Sequence, residues 1–258
     1  MLPGLILGLL TFFIGASVGS FLNLVADRVP ARRFIVQPRS FCESCNTQLA
    51  NRDLFQILSY LWIRGKCHYC SASIPVRFMA VEALTGALFT AIYFRYGLEV
   101  EFILLATGVS SMIVVALIDL EHGIIPNKVI LPSLAVLLIL SPFWTELGLS
   151  RSFLGIDDLG GTTINSIVSG LGFFLVFLGI AMIYPNGMGG GDVKLAGVIG
   201  LLAGYPGVLL ALWLAVVSAG VIAIGLVIGG RLGRKDTMPF GPFLSLGAVA
   251  TLLVFGLG

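Results

Sequence analysis

The sequence predicts an all-α polytopic membrane protein of about eight transmembrane helices, with a small cytoplasmic zinc-binding domain inserted after the first helix. Three observations carry that prediction. Of 258 residues, 57% are hydrophobic and only 11% charged, with a mean hydropathy of +1.03, far from the balance of a water-soluble domain. Apolar runs of about 20 residues, the length that crosses a bilayer core as a helix, alternate with short polar breaks. All four cysteines fall in the one long polar stretch, Asp27 to Arg77. The lipid bilayer is the first expected partner. A net charge of +2 leaves no footprint for nucleic acid, which is not expected to bind.

The uncharged run from Leu2 to Val25 lacks the basic start and short apolar centre of a cleavable signal peptide, so it is expected to remain as the first span. Hydropathy places helices near 3–26, 77–95, 100–120, 125–142, 163–184, 193–204, 206–230 and 239–257. The sixth is short. Gly200, Gly204, Pro206 and Gly207 punctuate it, and a broken or re-entrant helix gives the same pattern, which leaves six or seven spans open. The expected organisation is a first span at 1–26, a four-cysteine domain at 27–77 and a helical domain at 78–258.

Charge placement gives the orientation. With the N-terminus outside, 13 of the 15 basic residues fall in inner segments and only Arg95 and Arg151 outside, the asymmetry of cytoplasmic loops. The cysteine segment is then cytoplasmic. The acidic loop with Glu146, Asp157 and Asp158 lies on the opposite side.

The cysteines form two CxxC pairs, Cys42 with Cys45 and Cys67 with Cys70, separated by 21 residues. Four thiolates so spaced suit a closed tetrahedral zinc site, and a reducing cytoplasm disfavours the alternative of two disulfides. A fragment of about 50 residues has little core of its own, so the metal would contribute folding free energy and its role would be structural. His68, inside the second pair, is a substitute ligand or, with four thiolates present, a solvated neighbour.

Two acids stand out. Asp119 ends the apolar run SSMIVVALID, and Asp192 follows the glycine-rich turn YPNGMGGGD. Ionisable groups at such places in membrane helices are costly and point to function. Two carboxylates held together do not ionise equally, so one can take a proton from an attacking water while the other donates to a peptide carbonyl oxygen. Asp119 and Asp192 are the expected catalytic pair, with Gly189, Gly191 and Lys194 in the active-site loop. Taken alone, Asp119 reads equally as an interfacial acid at a helix end, and spacing does not prove that the pair meets. Glu121 and His122 read as interfacial neighbours, and Lys194 as a carboxylate partner or a lysine snorkelling to the surface.

Together these stretches resemble the bacterial type IV prepilin peptidase family of GxGD intramembrane aspartyl proteases. The resemblance runs through GSFLNLVADRVP from Gly19, PRSFCESC from Pro38, SYLWIRGKCHYC from Ser59, VE ending at Glu82, IDLEHGIIPN from Ile118 and GMGGGDVKLAG from Gly187. It implies an inner-membrane enzyme whose catalytic aspartates are Asp119 and Asp192 and whose metal ligands are Cys42, Cys45, Cys67 and Cys70. Its substrates would be prepilins or pseudopilins, cut after a glycine at the cytoplasmic membrane face. Members with the cysteine domain also methylate the new N-terminus using S-adenosylmethionine. No residue carries over as a binder of that donor; Glu82 and Asn23, polar within apolar runs, are candidates or simple interhelical hydrogen-bonders. The stretch Asp53 to Leu58 departs from the family in lacking a proline after the aspartate. Two other readings remain at this stage: a non-methylating GxGD membrane protease, against which the cysteine domain speaks, and an ion-coupled transporter with paired intramembrane acids.

Overall fold

The computed structural model describes residues 2–35, 41–42, 44–48, 65–142, 159–185, 187–231, 233 and 238–254. The family departure at Asp53 to Leu58 and the acidic loop with Glu146, Asp157 and Asp158 lie outside them. The described residues form eight helices: α1 (Leu2–Arg28), α2 (Val76–Tyr96), α3 (Val100–His122), α4 (Asn127–Leu140), α5 (Leu159–Ile183), α6 (Gly190–Ala203), α7 (Gly207–Ile228) and α8 (Gly241–Val254). Five of them, α1, α2, α3, α5 and α7, are long and apolar enough to cross a membrane. The other three have 14 residues each and rise about 21 Å, short of the roughly 30 Å of a bilayer core. All eight expected helices are present.

The chain forms two compact units, 1–97 and 98–258. In the first, α1 and α2 run antiparallel because small residues on one helix meet large ones on the other. A Cβ at Gly8 would meet the Phe94 ring, one at Gly15 would meet Phe89, and one at Gly19 would lie 2.9 Å from the Glu82 Cα. Gly86 returns the arrangement against Phe12. Small residues let helix backbones approach where lipid supplies no hydrophobic drive. At one end of this pair, Arg77 of α2 bridges to Asp27 of α1 at 2.6 Å, and the Arg28 guanidinium donates to the carbonyls of Phe34 and Ile35.

In the second unit α6 is the most enclosed element, with every residue from Leu195 to Ala203 buried. A helix apolar on all sides belongs in an interior. It lies against α5 where a Cβ at Gly200 would meet the Ser169 carbonyl oxygen at 2.5 Å, and near α3 at Gly108 and Leu202. The buried stripe of α3 runs through Leu105, Val109, Met112, Val115 and Ile118. Large apolar side chains exposed on α5 and α7, such as Leu175, Ile180, Trp213 and Val221, present the surface a lipid chain would cover.

Candidate active site

Asp119 sits in the last turn of α3 and is 5% exposed. The turn ends at Gly123, whose φ of 62° is left-handed and whose N–H returns to the Asp119 carbonyl at 2.9 Å; glycine takes that conformation without a Cβ penalty. Ile124 to Pro126 then run without helix, since the residue before a proline avoids the helical region, and α4 starts at Asn127.

Asp192 lies in the first turn of α6. Its Oδ2 accepts the Gly189 N–H at 3.2 Å, and its own N–H donates to the Gly189 carbonyl at 3.1 Å. This is the carboxylate half of a capping box, the other half being impossible for a glycine side chain. Its Oδ1 is buried without a hydrogen-bond partner among the described residues.

Two contacts bring the two stretches together. A Cβ at Gly191 would lie 2.8 Å from the Ile125 Cβ, so only glycine lets α6 start this close to the segment after Asp119. Lys194 donates to the Asn127 side-chain oxygen at 2.7 Å, tying α6 to the start of α4. Glu121 and His122 are exposed.

One further group touches the pair. The backbone N–H of Gly241, at the start of α8, donates to Asp119 Oδ2 at 2.9 Å. Sequence reasoning did not find it. The run Pro239, Phe240, Gly241, Pro242 signals a helix start, but nothing in it points to an aspartate 122 residues away.

The cysteines occupy two matching knuckles. In each, the first cysteine's N–H reaches five residues on, Cys42 to Thr47 and Cys67 to Ala72, and its carbonyl accepts from Asn46 or Ser71. Those two residues have positive φ, 55° and 58°. All four thiols are free, and their sulfurs lie within 4.8 Å of one another, Cys42 and Cys70 at 3.8 Å. A tetrahedral zinc with bonds of about 2.3 Å needs sulfurs about 3.8 Å apart, so the cluster fits a metal ion. The Tyr69 and Cys70 N–H groups pull the Cys67 thiol below its usual range, and the Thr47 side chain and N–H do the same for Cys45. Against the pull of the Ala72 N–H, burial and the neighbouring thiols push Cys70 up to about 12, a crowding that a bound cation would relieve. His68 is outside the group, its ring edge-on to Tyr69.

Glu82 and Asn23 are 2% and 1% exposed in the first unit. Asn23 Nδ2 donates to the Phe78 carbonyl at 3.2 Å, the interhelical bond that the plainer reading expected.

Fold and site together define a multi-pass helical membrane protein with a buried Asp119, a half-buried Asp192 and a four-thiol cluster. Residues 13–96 match the bacterial peptidase A24 N-terminal domain, and residues 106–224 match the type IV leader peptidase family. A prepilin leader peptidase/N-methyltransferase of Bacillus subtilis is 32% identical over 94% of this chain and 92% of its own length. Proteins of the same name from Myxococcus xanthus (32% identical, 87% of this chain, 64% of the relative) and Dichelobacter nodosus (30%, 94% and 91%) are similar. No solved structure matches the chain. The chain belongs to the type IV leader peptidase family, and it is an enzyme of that family.

Proposed function

We propose that this enzyme removes the leader of type IV prepilins or pseudopilins at the cytoplasmic face of the inner membrane, with Asp119 and Asp192 as its catalytic pair, and then N-methylates the product. The observation that supports the peptidase reading is the close approach of Gly191, next to Asp192, to Ile125 in the segment that follows Asp119. In the proposed reaction the ionised aspartate takes a proton from water as the water oxygen bonds to the scissile carbonyl carbon. Its protonated partner gives a proton to the carbonyl oxygen, and collapse of the tetrahedral species breaks the C–N bond with proton transfer to the leaving amine. The segments Gly123 to Pro126 and Gly187 to Gly189, outside helices, offer backbone groups to an extended substrate.

The methyl transfer rests on the relatives' name and on the resemblance, with S-adenosylmethionine supplying the methyl group to the exposed amine. Zinc is the metal proposed for Cys42, Cys45, Cys67 and Cys70, in a structural role. The distribution of basic residues supports an outside N-terminus and a cytoplasmic cysteine segment. In this proposal 1–26 is the first span, 27–77 the zinc domain and 78–258 the helical protease domain.

The test is incubation of the purified protein in liposomes with a prepilin and S-adenosylmethionine, followed by mass spectrometry. Loss of the leader with a gain of one methyl is expected. A product that is cut and never methylated would remove the transferase, and an intact prepilin would remove the peptidase.

A further inference from the structure

The first turn of α8 leaves almost nothing free. The N–H groups of Phe243 and Leu244 both return to the Phe240 carbonyl, each at 3.1 Å, and Pro242 has none. Gly241 alone is left with an N–H to give, and gives it to Asp119 Oδ2 at 2.9 Å. The start of a helix carries the positive end of its dipole, so this donor is directed at a carboxylate oxygen from a favourable place. The site is also closed to any side chain. A Cβ at 241 would fall 2.6 Å from Asp119 Oδ2 and 3.1 Å from its Cγ. Gly241 does not have a left-handed φ, so space and not backbone freedom demands glycine there.

We infer that the turn from Pro239 to Pro242 is a third component of the peptidase site and that Gly241 is the residue positioning the Asp119 carboxylate. The inference rests on the proposed peptidase reading. Gly241 touches no substrate in it; the residue acts through Asp119, fixing one oxygen and so aiming the other. α3 and α6 supply the two acids, and α8 sets the orientation of one of them.

The test compares four forms of the full chain in liposomes with a prepilin: wild type, Asp119→Asn, Gly241→Ala and Gly220→Ala, the last adding a Cβ where nothing lies within 4 Å. Misplacing a reacting group by about 1 Å costs on the order of 100-fold. Gly241→Ala is therefore expected to lower kcat about 100-fold while leaving KM and the melting temperature close to those of Gly220→Ala. A kcat near wild type overturns the inference, and so does a fall in kcat matched by a fall in melting temperature, which would assign Gly241 to packing. Replacing the Phe240–Gly241 amide by an ester, with glycolic acid at 241, removes the N–H and adds no atom. A drop of about tenfold or more in kcat is expected there, and an unchanged kcat overturns the inference independently. Activity of Asp119→Asn at the wild-type rate would instead sink the peptidase reading beneath it.

Discussion

At the scale of single residues, close approach explains more of the site than charge does. Gly191 stands where a Cβ would strike Ile125, and Gly241 where one would strike Asp119. The two glycines differ in how far the sequence revealed them. Gly191 belongs to a GGGD run beside the acid it serves, whereas Gly241 acts on a residue in another helix, and local pattern carries no information about such a pairing. The cysteines were legible because two CxxC pairs already state their chemistry. What spacing could not give is the shape of the knuckles, in which Asn46 and Ser71 take left-handed backbone. Asparagine tolerates that region, but serine pays a conformational cost there. Ser71→Gly is expected to stabilise its knuckle by about 1 kcal/mol, seen as slower loss of zinc to a chelator; faster loss would contradict that account.

At the scale of helices, hydropathy located all eight, since apolar length is a strong signal. It could not say how the breaks between them are satisfied, because the partner groups come from distant elements. The break after α6 shows this. Asn165 of α5, fully buried, donates to the Tyr205 carbonyl at 3.0 Å and accepts the Tyr205 N–H at 2.7 Å. Ser169 holds the same Asn165 oxygen at 3.1 Å. One amide thereby replaces the backbone bonds that a continuous helix would have made through Gly204 and Pro206. Asn165→Ala would orphan both Tyr205 groups, each costing about 1–3 kcal/mol. A clear fall in the melting temperature in detergent is expected, and an unchanged value would mean that water or lipid headgroups serve the break equally well.

At the scale of the whole molecule, two different stabilising strategies operate in two units. The second unit buries apolar side chains around α3 and α6, while the first gathers four thiols within 4.8 Å of one another, the group proposed to hold a structural metal. Cys42→Ser is expected to lower bound zinc and to make the cysteine segment sensitive to protease, with metal content read by elemental analysis. Unchanged zinc stoichiometry would rule out a four-cysteine site. The central claim concerns the other unit, where Asp119 and Asp192 come from helix ends 73 residues apart in the chain whose neighbouring backbone meets at Gly191 and Ile125. Its most direct test is prepilin cleavage by purified Asp119→Asn and Asp192→Asn in liposomes, beside wild type and with zinc content as the control for folding. The account predicts that each substitution alone abolishes cleavage while zinc stays bound; substantial cleavage by either variant would contradict it and remove that aspartate from the pair.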